Sequence, residues 1–281
     1  MRSTDAQNPK IPAITLNNGV TIPQLGFGVF QLDDAQAPSI LAHALDAGYR
    51  HFDLATYYGN ESSVGAALTR SAVPRDELFV TTKVWNTDQG YDETLAAFDT
   101  SVAALGIEVV DLYLIHWPAP ARDRYLQTWR ALEKLYRDGR VRAIGVSNFQ
   151  PEHLERLLDR GAVVPAVNQI ELHPYFQQAE LRALHREHGI VTEGWSPLAR
   201  GALLQDPVLV SLAARHEVSP AQVVLRWHLQ LGNVVFPKSA TQSRIRSNID
   251  VFGFALSDDE MSEISELDRD ERTGPHPDEL N

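Results

Sequence analysis

The sequence predicts an α/β protein, a (β/α)8 TIM barrel with an N-terminal β-hairpin and extra C-terminal helices, and three observations carry that prediction. Short apolar runs rich in β-branched and aromatic residues alternate with helix-period stretches from end to end. The strand candidates number eight, and no long linker divides the 281 residues. With 43% hydrophobic and 22% charged residues the chain can bury a core without a disulfide or a metal. A single domain over residues 1–281 is expected, with a polar arm over 1–12 and a tail over 272–281.

The elements follow in order. Ala13–Leu16, Asn17-Asn-Gly19 and Val20–Ile22 form a hairpin signal, because Asn-Gly supplies the positive φ values of a tight turn. Strands are expected over Gln24–Val29, Arg50–Leu54, Leu78–Val84, Val110–Ile115, Val141–Ser147, Ala166–Ile170, Ile190–Trp195 and Asn233–Pro237. Between them, apolar residues three and four apart predict helices over Ala35–Ala47, Asn60–Thr69, Asp92–Leu105, Tyr125–Arg137, Pro151–Arg160 and Gln178–His188. Two further helices, Pro207–His216 and Ser219–Leu231, fit before the last strand, the second opening with Ser219-Pro220 as N-cap and first helical residue. Gly48, Gly139, Gly161 and Gly189 each follow a last apolar turn, where a left-handed residue ends a helix cheaply. The acid-rich stretch Asp258–Glu271, spaced by Ile264 and Leu267, predicts a solvated amphipathic helix. A doubly wound dinucleotide-binding sheet is the alternative, but Gly26-Phe-Gly28 is followed by Val29-Phe30-Gln31, so the third glycine of its fingerprint is missing.

Composition excludes several functions. There are no cysteines, which removes thiol catalysis, disulfide scaffolds and iron–sulfur ligation. A net charge of −12 argues against nucleic-acid binding, which needs a cationic stripe. The start is polar and no apolar run reaches membrane-spanning length, so the expectation is a cytoplasmic protein, a monomer with no membrane association and no obligatory protein partner. The ten histidines show no pair with a nearby acid at metal-site spacing, so no metal is expected. Gly145-Val-Ser147-Asn-Phe149 lacks the second glycine of a serine-nucleophile turn.

In such a barrel the side chains at the strand C-termini share one mouth. Here those positions are polar: Asp53, Lys83, His116, Ser147-Asn148, Asn168-Gln169, Trp195-Ser196 and Lys238-Ser239. Singly, Lys83 could snorkel, His116 could be a hydrogen-bonded core histidine and Asp53 could cap a helix. Seven such ends acquired independently would be costly, since buried charges need partners.

Asp53, Lys83 and His116, with Tyr58 in the loop after Asp53, make a coherent acid–base device. An ammonium ~4 Å from a phenol contributes roughly 4 kcal/mol at an effective dielectric of about 20. At ~1.4 kcal/mol per unit this would lower the tyrosine pKa by up to about three units before desolvation opposes it. Tyr58 would then protonate an oxygen, with Asp53 holding Lys83 and His116 hydrogen-bonded to the reacting oxygen. Tyr57 competes for the same role on spacing alone.

A phenol that protonates an oxygen suits carbonyl reduction, whose hydride must come from a cofactor. Lys238, Ser239, Arg244 and Arg246 concentrate cations and a hydroxyl after the last strand, where barrels hold phosphate. Two charge-assisted contacts to a ribose 2′-phosphate would favour NADPH over NADH by roughly a hundredfold or more. An exposed basic helix face is the plainer alternative.

The ordered phrases Leu25-Gly-Phe-Gly-Val-Phe-Gln31, Asp53-Leu-Ala-Thr-Tyr-Tyr58-Gly-Asn-Glu61, Thr82-Lys83-Val-Trp-Asn86, Asp111-Leu-Tyr-Leu-Ile-His116-Trp-Pro118, Gly145-Val-Ser-Asn148, Asn168-Gln169 and Pro237-Lys-Ser239 resemble the aldo-keto reductase superfamily over about Ile14 to Asn281. The nearest likeness is to short bacterial 2,5-diketo-gluconate reductases and methylglyoxal reductases. The resemblance implies a catalytic tetrad of Asp53, Tyr58, Lys83 and His116, with Tyr58 rather than Tyr57 as the acid, and NADPH/NADP+ as cofactor. It implies Ser147, Asn148 and Gln169 at the carboxamide, Trp195 on the nicotinamide ring, and Ser196, Leu198 and Gly201 at the pyrophosphate. Lys238, Ser239 and Arg244 would take the 2′-phosphate and Asn248 the adenine, and Gly28 and Val29 would pass the ribose near Asp53. Leu54, Trp195 and Ser247 depart from residues usual in the family, and the loop after His116 and the tail are short. Phe30, Tyr57, Trp85 and Trp117, with His116, would make an aromatic pocket for a small-molecule carbonyl substrate. Two other classes stay open from sequence: a lyase with Lys83 as Schiff base, opposed by Asp53, which raises a lysine pKa, and a non-catalytic protein on the same fold.

Overall fold

The computed structural model describes residues 11–281. Residues 1–10 of the expected polar arm lie outside the described residues. The hairpin strands β1 (Ala13–Thr15) and β2 (Thr21–Pro23) pair antiparallel with Ile14 opposite Ile22, around Gly19 at φ 86°. Eight parallel strands follow: β3 (Phe27–Gly28), β4 (His51–Asp53), β5 (Phe79–Val84), β6 (Val110–Ile115), β7 (Val141–Ser147), β8 (Val167–Glu171), β9 (Val191–Trp195) and β10 (Val234–Val235). They are neighbours in chain order. The cylinder closes where Gly26 N–H donates to Val235 O at 2.9 Å and Val235 N–H donates to Gln24 O at 3.0 Å. Closure excludes the doubly wound alternative.

The closing strands are shorter than their sequence signals, because only a few residues of Gln24–Val29 and Asn233–Pro237 keep ladder geometry at the seam. Helices α1 (Ala37–Ala47), α2 (Glu61–Thr69), α3 (Tyr91–Leu105), α4 (Tyr125–Arg137), α5 (Pro151–Arg160) and α6 (Ala179–Glu187) each follow a strand, within two residues of the expected bounds. Between β9 and β10 lie α7 (Pro207–His216), capped by the Asp206 carboxylate, and α8 (Pro220–Gln230), whose N-terminus carries a reciprocal Ser219–Gln222 capping box.

Three differences are informative. Gly48, Gly139 and Gly189 are left-handed, but Gly161 is extended (φ −84°, ψ 152°). Glycine is required there because a Cβ would press on the Trp129 indole. The cation-bearing segment forms a short helix, α9 (Gln242–Ile249). The acidic helix α10 spans Asp258–Ser265 and stops before the expected Glu271: the Gln177 side-chain amide donates to the Ile264 and Ser265 carbonyls at its end, and the Arg269 and Glu271 N–H groups donate to the Tyr175 carbonyl instead of to the helix.

Three apolar clusters hold these layers. The largest lies between the sheet and its helices. A second joins α7, α8 and α10 through Leu209, Leu212, Trp227 and Ile264. The third puts Leu16 and Ile22 of the hairpin region against Leu112, Leu114, Val167 and Val234, so the hairpin plugs the N-terminal end of the barrel and access is left at the C-terminal mouth.

The close approach of α2 to the end of α3 rests on Gly65, where a Cβ would sit against the Leu105 main chain. Gly65→Ala is therefore expected to destabilise the fold by about 1–3 kcal/mol with unchanged far-ultraviolet dichroism, read from urea unfolding.

Candidate active site

Register places the first two groups. Asp53 ends β4 opposite Thr81 of β5, and Lys83, two residues on, points to the same side of the sheet. Lys83 is fully buried; its Nζ donates to Asp53 Oδ1 and Oδ2 at 2.8 and 2.9 Å and to the Leu54 carbonyl at 2.7 Å. Because position 54 contributes its main chain here, the departure at Leu54 leaves this contact intact. The remaining contact of Lys83 is the Tyr58 hydroxyl at 3.4 Å. Tyr57 has no such link: it is 56% exposed and stacks on Trp85 at 3.9 Å between ring centroids.

Burial acts against the Lys83 charge, but Asp53 and Tyr58 outweigh it and the ammonium pKa is raised. For Tyr58 burial comes first and raises the phenol, and the opposing pull of Lys83 does not overcome it. The sequence-based expectation of a lowered phenol pKa is thus corrected: desolvation exceeds the charge–charge gain, and the hydroxyl remains a protonated donor at neutral pH. His116 is driven well below the usual imidazole range by burial and then by Lys83, so the ring is neutral. Its Nδ1 is buried with no hydrogen-bond partner among the described residues.

An aromatic rim surrounds these groups. Phe30 lies 5.0 Å from the Tyr58 ring, Trp85 is edge-on to His116 at 5.1 Å, and Trp117 is 6.4 Å from His116 and from Trp195. All four expected pocket aromatics therefore border one mouth.

The amides assemble on the adjoining strands. Asn148, left-handed at φ 64°, donates Nδ2 to the His116 carbonyl at 2.9 Å and to Ser147 Oγ at 3.0 Å, while its Oδ1 accepts from Trp195 Nε1 at 2.8 Å. Ser147 Oγ donates to the Gln169 carbonyl at 2.8 Å. Gln169 Nε2 donates at 2.9 Å to both Asp53 Oδ1 and Glu193 Oε2. After Trp195 the chain is tightly coiled, with positive φ at Ser196, Ala199, Arg200 and Gly201 and Leu198 between them.

Across the seam, Gly28 packs so closely on the Phe236 carbonyl that a Cβ would stand 3.1 Å from it, with Val29 next in the chain. Lys238 Nζ reaches the Gln31 carbonyl at 3.2 Å. Ser239 Oγ accepts from Thr241 N–H at 3.1 Å at the start of α9, which also carries Arg244 and the buried Asn248. In a chain of net charge −12, neither Lys238 nor Arg244 has a carboxylate partner among the described residues. Unpaired cations and a hydroxyl at a helix N-terminus suit a phosphate.

Sequence reasoning passed over two buried acids. Glu193 on β9 is one. Glu171 on β8 is the other: it accepts from Thr273 N–H at 2.7 Å, from the Thr273 hydroxyl and from Gly274 N–H at 3.1 Å, and His173 Nε2 lies 3.2 Å away. These bonds fasten the tail so that Gly274 lies against the Trp195 ring, leaving no room there for a Cβ. The sequence signals were weak: Glu193 interrupts the predicted strand Ile190–Trp195, and Glu171 directly follows the predicted strand Ala166–Ile170.

The chain belongs to the aldo/keto reductase family, whose sequence profile matches residues 24–269. An aldo-keto reductase of Mycolicibacterium smegmatis is 53% identical over 96% of this chain and 98% of that protein. The glyoxal reductase of Bacillus subtilis is 51% identical over 95% of this chain and 96% of its own. The crystal structure of an Asp-to-Ala mutant of Gox0644 in complex with NADPH superposes with a TM-score of 0.92, at 48% identity, covering 95% of this chain and 98% of that one. No helix of the described residues is long and apolar enough to cross a membrane.

Burial opposes the Glu171 charge, but its donors outweigh it and the carboxyl is held below its usual pKa. Its stabilising contribution is therefore present above about pH 4.3 and lost as pH falls through the folded value. Glu171→Gln is expected to cost about 1–3 kcal/mol at neutral pH and to speed tryptic cleavage after Arg272 at that pH, whereas the stability difference from wild type, read from urea unfolding, should shrink as pH falls through the acid range.

Proposed function

We propose that this chain is an NADP(H)-dependent carbonyl reductase that converts aldehydes, ketones or α-dicarbonyls to alcohols, with Tyr58 as general acid. The observation that carries the proposal is the buried Lys83 ammonium, clamped by both oxygens of Asp53 and facing the Tyr58 hydroxyl at an aromatic mouth. The nicotinamide cofactor, when bound, supplies the hydride that reaches the carbonyl carbon.

The rest is done by side chains of this chain. Tyr58 holds a proton at its hydroxyl and gives it to the carbonyl oxygen as negative charge develops there. Lys83 stabilises the phenolate that remains, and Asp53 keeps Lys83 charged and in place. His116, neutral at working pH, hydrogen-bonds the same oxygen without competing as an acid. A Schiff-base role for Lys83 is opposed by its raised pKa, since the nucleophile would have to be the neutral amine.

The residues present fit the cofactor. Gln169 turns both amide protons inward, which leaves its carbonyl oxygen, with that of Asn148, to accept from the carboxamide. Ser147 holds the Asn148 side-chain amide and the Gln169 main-chain carbonyl, and the indole of Trp195 offers a stacking face. Ser196, Leu198 and Gly201 would line the pyrophosphate and Gly28 and Val29 the ribose. Lys238, Ser239 and Arg244 would hold the 2′-phosphate, with Asn248 at the adenine. Phe30, Tyr57, Trp85 and Trp117 form an open apolar wall suited to small carbonyls, and the glyoxal reductase relative supports that class.

Two measurements test this reading. Tyr58→Phe should lower NADPH-dependent reduction of a small dicarbonyl by about 10²–10⁴-fold while NADPH binding, followed by tryptophan fluorescence, is nearly unchanged; equal turnover would remove Tyr58 as the acid. Lys238→Ala with Arg244→Ala should erase most of a roughly hundredfold preference for NADPH over NADH, seen as a selective rise in the NADPH dissociation constant.

A further inference from the structure

The proposed reaction makes no use of one acid in the barrel interior. Glu193 is fully buried on β9, in register with Gln169 of β8 on one side and Val234 of β10 on the other. Its Oε2 accepts from Gln169 Nε2 at 2.9 Å, and its Oε1 has no partner among the described residues. The same Nε2 donates to Asp53 Oδ1 at 2.9 Å, the oxygen that receives Lys83 Nζ at 2.8 Å. An apolar side chain would fill this place without the cost of a half-satisfied carboxyl.

The gain lies in the amide. A primary amide can satisfy two acceptors at one end only by presenting its NH2 group there, so two carboxyl groups on Nε2 fix the roll of Gln169 and turn its carbonyl oxygen away from them. With Asp53 alone, one N–H would be left without an acceptor in the barrel and the opposite roll would become competitive. Burial first, and then Asp53 of β4, push the Glu193 pKa up to about 8, while the Gln169 hydrogen bond and Lys83 of β5 pull it down. At neutral pH Glu193 is therefore an uncharged acceptor, and Asp53 remains the counter-charge of Lys83.

We propose that Glu193 is a positioning residue: acting through Gln169, it presents an amide carbonyl to the carboxamide of the nicotinamide and steadies the Asp53 oxygen that clamps Lys83. This inference rests on the reading of the site as an NADP(H) carbonyl reductase.

The test compares two probes that differ in the nicotinamide end, NADPH and adenosine 2′,5′-bisphosphate, by isothermal titration calorimetry at neutral pH. Glu193→Met and Glu193→Leu should each weaken NADPH by about tenfold and leave the bisphosphate unchanged. Glu193→Gln, which keeps an uncharged oxygen acceptor for Gln169, should bind both like wild type. Equal loss for both probes, no loss for either, or a Glu193→Gln variant as impaired as Glu193→Met would overturn the role, since a merely structural acid would not discriminate between the probes or be rescued by the amide. Wild-type protein that binds neither probe would instead remove the cofactor reading itself, and this inference with it.

Discussion

A lysine ammonium with no exposure to solvent is tolerable only where opposite charge and hydrogen-bond acceptors surround it, and that requirement at Lys83 organises the barrel interior. Both oxygens of Asp53 and a main-chain carbonyl meet it. Breaking such a pair costs several kcal/mol, yet replacing it by apolar residues is often neutral, so its presence is better explained by what it does than by stability. Its geometry follows from sheet register, since β4 and β5 are adjacent parallel strands and Lys83 stands two residues beyond the partner of Asp53.

From that pair, hydrogen bonds run around the mouth rather than down into the apolar core. Asp53 is tied to Gln169, Gln169 to Glu193 and Ser147, Ser147 to Asn148, and Asn148 to both the His116 main chain and Trp195. A second shared-hydroxyl chain supports the other side: Glu61 accepts from Thr82 at 2.6 Å and from Ser101 at 3.2 Å, and Thr56 donates to the Lys83 carbonyl at 3.0 Å. Neighbouring strand ends thus hold one another, and the Asp53–Gln169 bond spans the barrel from β4 to β8, which gives a mouth of fixed shape on a rigid scaffold. The tail closes the arrangement by lying against Trp195, fastened at Glu171.

Charge is distributed with the same economy. The helix α10 begins with Asp258, Asp259 and Glu260, where acids favour the positive end of the helix dipole, and Glu260 is further met by His216. At the start of α9 the opposite holds, with a serine hydroxyl and cations left free of carboxylates. An acidic chain that keeps a small cationic island at a helix N-terminus concentrates its attraction for anions at one place.

Much of this was legible in the chain itself. Alternating strand and helix signals are local, and period-2 and period-3.6 patterns survive without knowledge of the fold, so the eight-unit barrel and the polar residues at its strand ends could be named from sequence. The difference between Tyr57 and Tyr58 could not be read from spacing, because it depends on which ring the loop turns toward Lys83. Likewise the phenol pKa reversed its expected direction, since desolvation depends on neighbours that spacing does not reveal. Gly161 was legible as a glycine but not for its reason, which is the Trp129 indole above it. Glu193, Glu171 and the tail became visible only when register and closure brought residues from distant parts of the chain into contact. Sequence determines which groups a strand end can offer; the closed sheet decides which of them share a proton, a charge or a hydrogen bond, because those energies fall off over a few ångströms and only tertiary packing sets distances on that scale.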